Sequence, residues 1–235
     1  MNFTIHWIAI LVTLLFNFFL TKPTSDFGNK IVSMFGDNKS KSTLIAYDGT
    51  PLLQPPGYVF GIVWSTIYTL NLMYLASTSI FGETVSEHHI IVCILNILWI
   101  ITLSIWYYGD LINTTHATHI AHIPQYVNVC KLLTPMLLAA ICFTTYQLTQ
   151  LPGIYGWMFV LYCTWTSLAT LLNVYLVLGH ETGWINERSY NAIFFFIFCS
   201  VSYVFNGVFD TEKRIVHSLV VSCVLGTIIK KVIQL

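Results

Sequence analysis

The sequence predicts an all-α integral membrane protein that crosses the bilayer seven times. Three observations carry that expectation. Of the 235 residues, 56% are hydrophobic and only 9% are charged, against roughly 25% charged in a soluble domain. The apolar residues gather into runs close to the ~20 residues that a helix needs to cross hydrocarbon. Between those runs sit Pro, Gly, Asn and most of the charges. The spans are helical because each run must satisfy its own backbone hydrogen bonds inside lipid.

The first span, Phe3–Leu20, has no basic residue before it and no small-residue cleavage site after it. It therefore reads as a retained helix rather than a removed signal. Residues 21–56 form the one long connection. A connection of that length is functional or disordered, and its short apolar patches, such as Ile31–Phe35, favour a lid lying on the helix ends. Pro55 and Pro56 then stop the loop, since neither donates a hydrogen bond and each biases its predecessor to extended geometry. Gly57 lets the chain turn into the second span, Tyr58–Phe81, whose first N–H groups are unpaired in any case. Phe60, Trp64 and Tyr68 recur every four residues there and share one face. Buried Trp and Tyr polar atoms need partners, so this face is expected to point into the bundle. The spans Ile90–Tyr108, Cys130–Leu148 and Tyr155–Leu178 complete a core over residues 1–180. Tyr190–Phe209 and Ile215–Leu235 add two further spans over residues 181–235.

Orientation follows from the Lys and Arg residues. Lys22, Lys30, Lys39, Lys41, Lys131, Arg188, Lys230 and Lys231 fall on one side, and only Lys213 and Arg214 on the other. The N-terminus is thus expected outside and the C-terminus in the cytoplasm. The formal net charge of zero gives no footprint for a nucleic-acid partner. The six cysteines lie in or beside apolar runs without CxxC spacing, which suits small buried hydrophobes.

The stretch "PPGYVFGIVWSTIY" resembles the second-helix signature of the TspO/MBR family, the tryptophan-rich sensory or translocator proteins, which runs approximately PPxWVFxPVWxxLY. Pro55, Pro56, Val59, Phe60, Val63, Trp64 and Tyr68 match it. Tyr58 stands where the family usually has Trp, and Ile62 where it usually has Pro. "LNILW" in the third span is similar to the family's LNxxW through Leu95, Asn96 and Trp99. "YCTWTSLATLLN" in the fifth is similar to YLxWxxFAxxLN through Tyr162, Trp165, Ala169 and Asn173. The three motifs occur in family order.

The resemblance implies a five-helix core plus two C-terminal helices, as in an extended branch of the family. It implies a membrane sensor, binding or transport protein for a flat hydrophobic molecule such as porphyrin or haem, with no obligatory cofactor. Trp64, Tyr68, Trp99 and Trp165 would wall an aromatic cavity together with Phe60, Tyr162 and Ala169. Asn96 and Asn173 would anchor a polar group, and Tyr58 would form the rim. Partners expected on this reading are the lipid bilayer, the hydrophobic ligand and a second copy of the chain in a homodimer.

Two features depart from the family. Ile100 and Ile101 replace its proline pair after LNxxW, which should leave the third helix straighter. The sterol-associated pattern fails after Tyr175, where no basic residue follows.

Other chemistries find little purchase. No paired carboxylates, Ser–His–Asp set or activated nucleophile occurs, so an enzyme is not expected. His116, His119 and His122 are three apart but lack further ligands nearby, and no metal site is expected there. The spans hold almost no ionisable groups, which argues against a proton-coupled pump. The last span has lysines only at its end, which excludes a retinal Schiff base. The alternative reading is a seven-helix small-solute transporter or a receptor without retinal.

Overall fold

The computed structural model describes residues 3–20, 57–115, 123–181 and 187–233. Among these residues the chain forms seven helices and no strand. They are α1 (Phe3–Leu20), α2 (Gly57–Phe81), α3 (Glu87–Thr115), α4 (Ile123–Thr149), α5 (Ile154–Tyr175), α6 (Glu187–Val208) and α7 (Thr211–Ile233). A π-helical turn, Leu176–Glu181, continues α5. The expected lid, residues 21–56, and the triplet His116, His119 and His122 lie outside the described residues.

Four helices contain stretches long and apolar enough to cross a membrane: Val59–Phe81, Glu87–Trp106, Tyr126–Thr149 and Ile154–Leu178. The described parts of α1 and α6 give shorter apolar stretches, Thr4–Leu15 and Ala192–Val208. Two boundaries differ most from the sequence expectation. α3 runs on past Tyr108 to Thr115, and α4 starts at Ile123, ahead of Cys130. Pro124 accounts for that early start, because a proline in the first turn removes an N–H that has no partner there. Lys131, expected near the start of its span, consequently lies in the third turn of α4.

Short turns join the helices at the end where α2 stops and α3 begins. Gly82, at φ 66°, takes the left-handed conformation that closes α2, and the Glu83 N–H reaches back to the Thr78 carbonyl at 2.9 Å. This is the glycine-terminated helix stop. The Tyr74 hydroxyl accepts the Ser86 N–H at 3.0 Å, tying the turn to α2. Between α4 and α5, Gly153 is again left-handed. Gly156 follows in the first turn of α5, with the Thr149 and Leu151 carbonyl oxygens 2.5 Å from where a Cβ would stand. At the start of α7, Asp210 caps the helix by accepting the Lys213 N–H at 3.0 Å and holds the Lys213 ammonium at 2.8 Å.

α5 is the centre of the bundle. It packs against α2, α4, α6 and α7, while α3 packs against α1 and α4, and α1 also touches α2. Two-thirds of its span is buried (67%), compared with 28–44% for the other three long spans. α6 and α7 cover its outer side, where Thr164 bonds the His217 imidazole at 2.8 Å and Phe209 packs with Val160 and Cys163. The outward faces of α1, α4 and α6 present Leu, Ile and Phe side chains, as lipid-facing surfaces require.

Candidate functional site

The aromatic stripe of α2 faces inward. Trp64 stacks on Trp99 of α3, with ring centroids 5.0 Å apart and 23° between planes. It stacks on Tyr68 at 5.8 Å and meets Tyr162 of α5 edge-on at 6.0 Å. One turn earlier, Phe60 meets Trp165 of α5 edge-on at 5.1 Å. Offset-stacked and edge-to-face contacts at these separations suit the ring quadrupoles. Trp99, Trp165, Tyr68 and Tyr162 are buried, while Phe60 and Trp64 are half-buried.

Asn96 sits under these rings and is completely buried. Its Oδ1 accepts the Tyr68 hydroxyl at 3.1 Å, and its Nδ2 donates to the Tyr162 hydroxyl. An amide at membrane depth is costly without partners. Here three helices meet on it, so one residue sets the rotation of α2, α3 and α5 about their axes.

The remaining expected site residues are placed differently. Ala169 is buried in the same core. Asn173 is only partly buried, and its Nδ2 donates to the Ala169 carbonyl of its own helix at 2.8 Å. It is two turns beyond Trp165, and among the described residues no hydrogen bond is seen between it and Asn96, Tyr68 or Tyr162. Of the Tyr58 rim, only the backbone at the start of α2 is described.

The cavity expected from the sequence is closed. The rings converge on one another and leave between α1, α2, α3 and α5 only a gap too small to hold a water molecule. Ile10, Thr13, Asn71, Cys93 and Asn96 are among its lining residues. Pockets for drug-sized ligands measure roughly 300–1,000 Å³, so a guest must part the side chains to enter. Stacked indoles bury more apolar surface against each other than they would facing an empty space, which explains the closure.

Several polar atoms in this region lack partners. The indole N–H groups of Trp99 and Trp165 are buried and donate to nothing, and Asn71 Oδ1 and Asn173 Oδ1 accept from nothing. Burying a polar group in this state costs about 1–3 kcal/mol each.

Residues that sequence reasoning passed over include Asn71, Thr13 and Cys93 around the gap, and the imidazoles of His6 and His89. Asn71 carried a readable signal, an amide in the middle of an apolar run. Nothing in the sequence couples α1 to α3.

A profile of the TspO/MBR family matches residues 24–179, more than half of the chain and all of α2 to α5. The chain belongs to the TspO/MBR family. It is a helical membrane protein of the sensor or transporter type, a family whose members are generally binding or transport proteins rather than enzymes. No curated protein and no solved structure matches it. The TspO/MBR match includes every residue of the aromatic cluster and its Asn96 network. It excludes α1, α6 and α7, although α1 packs against α2 and α3 and the other two pack against α5.

Proposed function

We propose that this TspO/MBR protein binds a flat hydrophobic molecule of the porphyrin or haem kind between α2, α3 and α5, for sensing, sequestration or transport. The observation that carries this reading is the pair of buried indole N–H groups, Trp99 Nε1 and Trp165 Nε1, without acceptors. Buried Trp N–H groups ordinarily find a partner. A planar ligand bearing carboxylates offers acceptors to both while stacking on the rings.

Trp64 is the movable plate. It is half-buried whereas Trp99 beneath it is buried, so it can swing outward at less cost than its neighbours. A flat ligand in contact with both rings needs about 7 Å between them, twice the ~3.5 Å van der Waals spacing. The two rings now stack directly on each other, with centroids 5.0 Å apart, so the opening required is about one further contact spacing, ~3.5 Å, supplied by a rotamer change of Trp64. Phe60, Tyr68, Tyr162 and Trp165 supply the surrounding walls, Ala169 the close approach on α5, and Tyr58 the rim. Asn96 holds the helices in register, and Asn173 Oδ1 offers an acceptor at the far end of α5.

Titrating protoporphyrin or haemin into the purified protein and following tryptophan fluorescence tests the proposal. Trp64→Ala is expected to weaken binding at least about tenfold, the loss of ~1.4 kcal/mol from one stacking face. Quenching unchanged by Trp64→Ala refutes the assignment.

A further inference from the structure

α4 and α5, joined by residues 150–153, form a helical hairpin and so run antiparallel. Each carries the pattern Cys-x-x-Thr, Cys142 with Thr145 on α4 and Cys163 with Thr166 on α5. Residues three apart share a helix face, and these two faces meet. Cys142 Sγ lies 3.5 Å from the Cys163 carbonyl oxygen, and Cys163 Sγ lies 3.7 Å from that of Cys142. The two thiols also stand within hydrogen-bonding reach of each other, with the Thr166 hydroxyl beside Cys142 and the Thr145 hydroxyl beside Cys163.

A disulfide forms only where two backbones approach closely and their Cβ atoms turn toward each other. A thiol that reaches its partner's backbone, in both directions, meets both conditions. Burial then separates the roles. Cys142 is half-buried and Cys163 completely buried, so a reagent meets Cys142 first. Reactive thiols are partly exposed and stand beside a resolving partner, whereas isolated buried thiols are inert. Thr149 ends α4 seven residues beyond Cys142, which places the pair about 10 Å along the helix from that end. Val160, Phe205, Phe209 and Val216 pack around it. An oxidant that reaches such a place must be uncharged.

We propose that Cys142 and Cys163 are a dithiol that an uncharged hydroperoxide closes to a disulfide between α4 and α5. Cys142 Sγ attacks the terminal peroxide oxygen: an S–O bond forms, the O–O bond breaks, and the thiol proton leaves with the departing oxygen as an alcohol or water. The Cys163 S–H and the Thr166 hydroxyl beside Cys142 are the groups placed to steady charge that develops on its sulfur. Cys163 Sγ then displaces the hydroxyl of the sulfenic acid: the S–S bond forms, the S–O bond breaks, and the hydroxyl takes the Cys163 proton away as water. The two thiols lose two electrons and the hydroperoxide gains them. The bond fixes to α4 the turn of α5 that carries Tyr162 and Trp165.

The experiment treats the full chain in lipid nanodiscs with cumene hydroperoxide in one arm and hydrogen peroxide in the other. Remaining thiols are blocked with N-ethylmaleimide, and digestion without reductant is followed by peptide mass spectrometry. The expected result is a loss of both free thiols together and a linked peptide joining Cys142 to Cys163, which dithiothreitol returns to the free thiols. The arm in which the link forms faster tells whether the oxidant arrives through lipid or through water. In Cys142→Ser, loss of the Cys163 thiol is expected to fall to that of buried Cys93. If circular dichroism shows that variant misfolded, Cys142→Ala serves in its place with the same expectation. Exposed Cys199 and Cys223 report that the oxidant acted. Their oxidation with no Cys142–Cys163 peptide in either arm overturns the proposal, as does a Cys142 that links to another cysteine or passes on to the sulfinic acid. No porphyrin enters this test, so a failed ligand titration leaves its outcome intact.

Discussion

Tyr162→Phe probes the contact on which three helices converge. The substitution removes one oxygen and leaves the ring, so packing against Trp64 is preserved and the effect isolates the hydroxyl. That hydroxyl accepts from Asn96 Nδ2, and Asn96 and Tyr162 are 0% and 2% exposed. The adjoining space is too small to hold a water molecule, so water cannot easily replace the lost oxygen. Removing one partner of a buried hydrogen bond costs about 1–3 kcal/mol, and the low dielectric of the interior favours the upper half of that range.

Unfolding in mixed detergent micelles, followed by circular dichroism, measures this loss. Asn96→Leu alone should cost at least as much, because it removes the bonds that Asn96 makes to both the Tyr68 and the Tyr162 hydroxyls. The double variant should then be less destabilised than the sum of the two singles, since the pair is removed together. A Tyr162→Phe effect below about 0.5 kcal/mol, the scale of an ordinary surface change, refutes the view that Asn96 organises α2, α3 and α5. Additivity of the two singles refutes it equally.

Two other outcomes follow from the connections. Gly156→Ala places a Cβ 2.5 Å from two carbonyl oxygens, so the turn must shift. A loss of about 1–3 kcal/mol is expected on the same assay, and wild-type stability would show that the turn is looser than described. At the α6–α7 turn, the Lys213 ammonium and backbone N–H hold the Asp210 carboxyl below its ordinary value of 3.8. A depressed carboxylate stabilises the fold above its unfolded value and loses that contribution as pH falls through the folded one. Stability of the wild type should therefore decline below about pH 4 more steeply than that of Asp210→Asn, as read from thermal unfolding across that range. Parallel pH profiles would remove the capping role from Asp210.

Some of the site was legible because it depends on chemistry carried along one helix. Phe60, Trp64 and Tyr68 share a face of α2 by spacing alone, and the LNxxW and YxxWxxxAxxxN patterns named the residues of α3 and α5 that meet them. Asn173 shows the limit of such reading. Its position in the motif equals that of a second anchor, yet its amide turns back to Ala169, a choice open to any Asn in a helix. The His6–His89 contact spans 83 residues of separation and leaves no local trace.

By itself the sequence determined the class of the molecule, its helices and the order of its aromatic motifs. Those follow from the cost of bare backbone in lipid and from spacing within single helices, both of which are local. Tertiary structure alone decided that the rings close on one another, that α1 seals the gap, and that α6 and α7 cover the back of α5. The helices are apolar nearly all round, so no amphipathic stripe marks which face turns inward. With lipid as apolar as the interior, rotation and partner are settled by packing and a few buried hydrogen bonds between distant residues.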